Sequence, residues 1–376
     1  MSIYILAFLF CMILGRVMLY NNGTESVIYR QKKLYLIMVT LLLGLISGFR
    51  STSVGYDTNS YSMIFDDVWV GSVDEIIDSV NRIELGFVLW CGLIKTLGGN
   101  FQWLLITTSI FVVGSFCVFV YRHSKSALWS IFVLFCFQYY YSSFDIIRHF
   151  MATSFLLLGY KYVEERKIVP FLLFIVMGSF FHKIAFVFAL YYFVPLLKWN
   201  RISFIVFVIL ALILNVFVSN FSVELSLLLG KGDYTQMHDS IQWIGAYSGG
   251  EKTFILFLVL SSVMYFVYRI NKQRNRVSES INNISLTYCF LITMFAFFFI
   301  NALMMTRFIM TSSAFLAIAI PNLLIADGKR KIDDKRIKSI ARWVILIALA
   351  YHAFLLLTNW QNVVPYMPYW QKNHII

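Results

Sequence analysis

Four residues in this chain could do chemistry where a sequence seldom keeps it. Arg50, Arg148, His182 and Arg307 each border a long apolar run. A charge inside a membrane-spanning helix costs about 2.5–3.5 kcal/mol on insertion scales, and chains keep one mostly where it faces a protein interior or a water-filled cavity. Arginine stays charged when desolvated and offers a planar fork to phosphate or carboxylate. Histidine, with an ordinary pKa of about 6.5, accepts or gives a proton near neutral pH. Three arginines and one histidine therefore predict a site for an anion with a proton-transfer group beside it.

Each residue also has a plainer alternative. Arg50 opens a polar run after an apolar one, where arginine serves as an interfacial anchor. The Val54-Gly55-Tyr56-Asp57-Thr58 stretch that follows puts a glycine in a turn and Asp57 at a turn or cap. Arg148 can pair locally with Asp145, at i to i+3, or stand at the outer mouth of a cavity. His182 lies in GSFFHKIAF and can be a packing residue, although it separates two short apolar pieces. Arg307 follows Met304-Met305-Thr306 with almost no loop to call for an exposed anchor. Glu84 and Gly86 stand before another apolar stretch and carry less signal. Asp66-Asp67, two adjacent acids without spaced partners, make a poor metal site and read as a solvated face. The five cysteines lie at irregular spacing in apolar stretches, giving neither a disulfide framework nor a metal site. A GxxxxGK[ST] phosphate loop is absent, so ATP use is not expected.

The elements that must hold these residues are membrane helices. The chain has 376 residues, 60% hydrophobic and only 13% charged, against about 25% charged in a soluble protein. Its mean hydropathy is +0.74. This predicts an all-α polytopic membrane protein forming a single integral domain over 1–376, since no polar segment is long enough for a soluble domain. Twelve spans are expected, near 2–20, 34–49, 103–121, 127–142, 149–163, 169–181, 184–197, 202–218, 253–269, 284–303, 308–326 and 340–358. The first is read as a retained helix, not a signal peptide. The segment 85–99, with Lys95 and Gly98-Gly99, is read as a re-entrant or interfacial helix. Basic clusters occupy alternate connections, which places both termini outside and the net charge of +12 mostly in cytoplasmic loops, with no nucleic-acid role implied. Residues 50–102 and 219–252 then lie on the outer face, the second carrying Lys231, Asp233, His238 and Asp239. The tail 359–376 is aromatic and proline-bearing, as suits a membrane interface.

Taken in order, these motifs resemble the EpsG / Wzy-type family of polysaccharide polymerases. They are Arg50 with Val54-Gly55-Tyr56-Asp57-Thr58, Tyr61 and Phe65; Glu84 with Gly86-Phe87; Arg148; Phe181-His182; Arg307; and Pro365-Tyr366. Family members commonly carry Gln where this chain has His149, and a small residue where it has Lys183. The resemblance implies transfer of a growing glycan from undecaprenyl pyrophosphate onto a fresh lipid-linked repeat unit. It implies a bacterial cytoplasmic (inner) membrane and a site on the periplasmic or outer side. Arg50, Arg148 and Arg307 would bind the pyrophosphate, with Tyr61 and Glu84 beside the substrate. His182, or else Asp57, would take the acceptor's proton. No metal or cofactor is expected. The expected partners are the lipid-linked oligosaccharide, membrane lipid, a chain-length regulator and a flippase. An O-antigen ligase-like transferase uses the same donor and is one alternative. A transporter of lipid-linked oligosaccharide is the other, and the internal repeat common in transporters is not found.

Overall fold

The computed structural model describes residues 1–19, 24–69, 83–220, 250–302 and 305–371. Every regular element among them is helical; Arg50 and Pro368 form one isolated antiparallel bridge. The chain is an all-α polytopic membrane protein. Eight helices are long and apolar enough to cross a bilayer. The other expected spans meet shorter or more charged helices. Residues 70–82 and 221–249 lie outside the described set, and with them Lys231, Asp233, His238 and Asp239.

The helices fall into two compact units, Met1–Ala189 with Ala348–Ile376, and Leu190–Ile347. The first unit holds α1 (Ser2–Leu19), α2 (Glu25–Gly48), α3 (Thr58–Asp67), α4 (Leu85–Thr96) and α5 (Phe101–His123). It continues with α6 (Ala127–Cys136), α7 (Tyr139–Asp145), α8 (Ile147–Glu164) and α9 (Ile168–Ser179). Its close contacts follow from small residues. Gly44 and Gly48, one turn apart on α2, face Ile110 and Ile106 of α5, and a Cβ on Gly48 would stand 2.8 Å from the Ile106 backbone. That small-xxx-small pairing lets two membrane helices meet along their backbones, and it delivers Arg50 two residues beyond the contact.

The span expected at 127–142 is broken. Gln138 adopts a left-handed backbone (φ 69°), between α6 and the seven-residue α7, all of whose residues are buried. A non-glycine residue there costs about 1–3 kcal/mol and persists only where the surroundings hold it. The Gln138 side chain donates to the Tyr351 hydroxyl, Tyr140 donates to Leu43 O (3.0 Å), and Tyr141 bonds His352 Nε2 (2.7 Å). α8 has the length of a span but carries Arg148, Lys161 and Glu164. α4 rises about 18 Å, short of the roughly 30 Å of hydrocarbon.

A 14-residue 3-10 helix, Lys183–Leu196, leads from the first unit into the second. At about 2.0 Å per residue it rises about 28 Å, where an α-helix of that length would rise about 21 Å. The second unit then contains α10 (Arg201–Asn220), α11 (Gly250–Arg274), α12 (Glu279–Phe299), α13 (Thr306–Leu324) and the start of α14 (Lys335–Leu357). Helix α13 is buried from Arg307 to Leu324, whereas only 6% of the α10 span is buried. Around α13, Tyr191 bonds Ser312 (2.9 Å) and its ring stacks on Phe315, which stacks in turn on Tyr288.

Candidate functional site

The chain after α2 is held by one carbonyl. Phe144 O, at the end of α7, accepts from Arg50 Nη2 (2.6 Å) and from Thr58 Oγ1 (3.2 Å). Arg50 Nη1 donates to Ser47 O (2.7 Å), and the guanidinium lies over the Phe144 ring at 5.2 Å. Arg50 is 1% exposed. Burial pulls its pKa down to about 10, which leaves it charged at neutral pH. Gly55 turns the chain against the same carbonyl with φ +95°; a Cβ there would meet Thr58 Oγ1 at 2.7 Å and Phe144 O at 3.1 Å. The Arg50…Val54-Gly55-Tyr56-Asp57-Thr58 motif thus closes a loop around a helix end, and Arg50 is a strut within it. Arg50, expected as an interfacial anchor or as a pyrophosphate contact, is buried with its terminal nitrogens on backbone carbonyls.

The loop is also stitched to the C-terminal tail. Ser51 N–H donates to Met367 O (2.7 Å), Gly55 N–H to Asn362 O (2.9 Å) and Tyr369 N–H to Phe49 O (2.9 Å). Tyr366 donates to Ile46 O (2.8 Å) and Tyr4 to Val363 O (2.8 Å). With its amide turned to satisfy both neighbours, Gln361 donates to Asp145 Oδ2 (2.8 Å) and accepts from Trp360 Nε1 (2.9 Å).

From this frame the loop starts α3, and α3 presents Tyr61. Asp57 sits at the N-cap of α3 and its N–H donates to Asp145 Oδ1 (2.6 Å). Its carboxylate is half-buried and makes no cap bond. One turn on, the buried Tyr61 packs on Phe87 (5.6 Å), and the Arg148 guanidinium lies over its ring at 5.8 Å. Arg148 opens α8 just after the break and pairs through Nη1 with Glu84. The two side chains are 21% and 13% exposed. Arg148 Nε is buried without a hydrogen-bond partner. Glu84, which the sequence marked only faintly, is therefore the counter-charge of the central arginine, 64 residues away.

Glu84 is set against the helix break that holds His182. Gly86 N–H donates to Phe180 O (2.8 Å), and a Cβ on Gly86 would meet Phe180 at 2.8 Å. His182 is 3% exposed, and its Nδ1 accepts from Ile184 N–H (3.2 Å). A neutral imidazole accepting at Nδ1 carries its proton on Nε2. The His182 ring lies edge-on to His149 at 5.8 Å, and His149 is the sequence neighbour of Arg148. Asp57, Tyr61, Glu84, Arg148, His149 and His182 thus come together in the first unit. Arg307, 9% exposed, is the second residue of the buried α13 and belongs to the second unit. Among the described residues no three His, Cys, Asp or Glu side chains cluster as metal ligands.

Sequence reasoning named Asp145 as a local partner for Arg148 but missed its bonds to Asp57 and Gln361, and with them the tail's bonds. Their only signal was the Pro365-Tyr366 ending and the aromatic composition of the tail.

Fold and site together define a polytopic membrane protein with a polar, arginine-centred cluster built on interrupted helices. The chain belongs to the EpsG family, which it matches over residues 33–369. That family is polysaccharide polymerase-like. No curated protein and no solved structure compared with the chain matches it.

Proposed function

We propose that this protein polymerises lipid-linked oligosaccharide repeat units, moving a growing glycan from undecaprenyl pyrophosphate to a new lipid-linked unit at the outer face of a cytoplasmic membrane. A hydroxyl oxygen of the acceptor sugar attacks the donor's anomeric carbon. The bond from that carbon to the pyrophosphate oxygen breaks, and its electron pair leaves with the pyrophosphate. Arg148 stabilises that developing charge, as fixed cationic donors do in a site that excludes water. One observation carries this reading. Arg148 is partly exposed, has a buried Nε with no acceptor, and is aimed by Glu84 and Tyr61. A buried donor left unsatisfied is rare, and a phosphate oxygen would satisfy it.

The hydroxyl proton needs an acceptor. Asp57 suits this better than His182, because its carboxylate is half-buried and makes no cap bond, while His182 is buried and already accepts at Nδ1. His182 then acts as a positioning residue, bracing His149 and through it the start of α8. Arg50 positions the Asp57 loop. Arg307 is a further substrate-binding candidate on sequence grounds alone.

The purified protein supplied with lipid-linked repeat units tests the proposal. A ladder of products spaced by one repeat is expected. A single transfer product would point to a ligase, and movement of the lipid across the membrane without a new bond to a transporter; either overturns the polymerase reading.

A further inference from the structure

A groove of about 940 Å³ runs between α10 and α11 in the second unit. None of its lining residues is among those proposed for sugar transfer. Its inner end is rigid. Trp199 donates through Nε1 to Thr287 Oγ1 (2.8 Å) and through its backbone to Asn283 Oδ1 (3.2 Å), and the Tyr268 hydroxyl reaches both Trp199 O and Asn283 Oδ1 at 3.2 Å. The walls are apolar and open outward: Ile205 is 56% and Phe266 64% exposed. In a bilayer such surface meets hydrocarbon, and a gap between two spanning helices fills with acyl chain.

The mouth of the groove is charged. Arg201 is the first residue of α10, and Arg269 and Lys272 lie three residues apart near the end of α11, so they share a face. All three are exposed, and none forms an ion pair among the described residues. Their neighbours behave differently. Arg274 pairs with Asp334, and Arg276 with Asp333 (2.5 Å) and with Asn271 (2.8 Å). At one end of one bundle, two arginines are neutralised by carboxylates, and three cations around the groove have no carboxylate partner among the described residues, Lys272 lying over the Tyr268 ring at 6.0 Å.

We infer that this groove binds one anionic phospholipid of the leaflet bordering the basic loops, its phosphate among Arg201, Arg269 and Lys272 and an acyl chain between α10 and α11. Charge complementarity selects a lipid over a protein helix, because the cations sit only at the headgroup end and the remaining wall is mostly apolar and otherwise uncharged. Basic pockets between spanning helices on the cytoplasmic side hold acidic headgroups in this way.

The test is native mass spectrometry of the full, delipidated protein titrated with phosphatidylglycerol or with phosphatidylcholine of identical acyl chains. Phosphatidylglycerol should occupy one site at least tenfold more tightly. The combined variant Arg201→Gln, Arg269→Gln, Lys272→Gln should abolish that preference and leave phosphatidylcholine binding unchanged. Ser262→Trp, which narrows the groove without touching the charges, should lower occupancy by both lipids. If the triple variant cannot be recovered, Arg269→Gln alone should weaken phosphatidylglycerol about fivefold. Equal affinity for the two lipids, or a preference that survives loss of the cations, overturns the inference. So does undecaprenyl phosphate displacing phosphatidylglycerol at equal or lower concentration, which would assign the groove to the carrier lipid.

Discussion

Arg148→Lys separates a charge from a fork. Lysine keeps the positive charge beside Glu84 but offers no planar array for a phosphate. Two magnitudes follow. In the ground state the substitution weakens a pair that is partly solvated, its side chains 21% and 13% exposed. Breaking a buried pair costs about 3–5 kcal/mol and an exposed one at most about 1 kcal/mol. With the lysine still charged, a loss of about 1 kcal/mol in stability is expected, too little to empty the membrane of protein. In the transition state, removing one fixed donor to a developing negative charge costs about 10²–10³ in rate. Turnover by purified protein on lipid-linked repeats, read as ladder formation and normalised to folded protein by size-exclusion chromatography, should therefore fall about 10²-fold. Glu84→Gln keeps an oxygen acceptor for Nη1 but removes the charge that aims it, and should cost about tenfold. Since both residues act through one interaction, the double variant should be no slower than Arg148→Lys alone. Wild-type turnover by Arg148→Lys would refute the reasoning. Losses that multiply in the double variant would refute the claim that the two residues work as a unit.

Other consequences are open to direct test. Asp57→Asn should be folded and nearly inactive, with a rate loss of about 10²–10⁴ for a lost general base, whereas His182→Gln should retain measurable turnover; the reverse order in the same ladder assay returns the base role to His182. Arg50→Lys removes a strut bonded to Ser47 O and Phe144 O and should lower protein yield and activity together, by about 2–4 kcal/mol of stability for lost charge-assisted bonds in a buried site; normal yield would contradict its assignment as a strut. Gly55→Ala forces a Cβ against Phe144 O at φ +95° and should cost about 1–3 kcal/mol, seen as a lowered thermal midpoint. For topology, the five native cysteines are buried and should stay silent, so an impermeant thiol reagent on intact cells should label Leu97→Cys and spare Ser278→Cys; the opposite pattern rejects the orientation.

What could be read from the sequence was whatever stands out against an apolar background. Arg148 and His182 were visible for that reason, and both lie at helix interruptions in the structure. The Glu84–Arg148 pair was not legible, because partners 64 residues apart leave no local periodicity. The break at Gln138 was hidden within the apolar and aromatic run FVLFCFQYYY, where no glycine or proline announces the left-handed turn. Nor does hydropathy distinguish the 3-10 path of Lys183–Leu196 from a short α-helix. For Arg50 the border position was evident. Its inward direction was not, since that depends on which carbonyls the α7 end leaves open.

Those carbonyls explain why the site lies where it does. Irregular backbone at membrane depth survives only where protein or a polar cavity meets its hydrogen-bonding groups. Ending α7 at Asp145 and restarting at Ile147 exposes the Phe144 carbonyl, and Arg50 and Thr58 satisfy it from the loop after α2. The same interruption puts Asp145 against the Asp57 N–H and brings Arg148 to the first turn of α8. One break therefore sets both the candidate base and the candidate phosphate-binding fork. The two arginines beside it divide the work by exposure. Both have a buried Nε without a partner, but Arg50 is 1% exposed, with its other nitrogens on backbone carbonyls. Arg148 keeps 21% of its side chain open and rests against a carboxylate that an incoming phosphate can share. A guanidinium closed around backbone holds the loop in shape, and the neighbouring one, aimed but not enclosed, is the group that can meet a substrate.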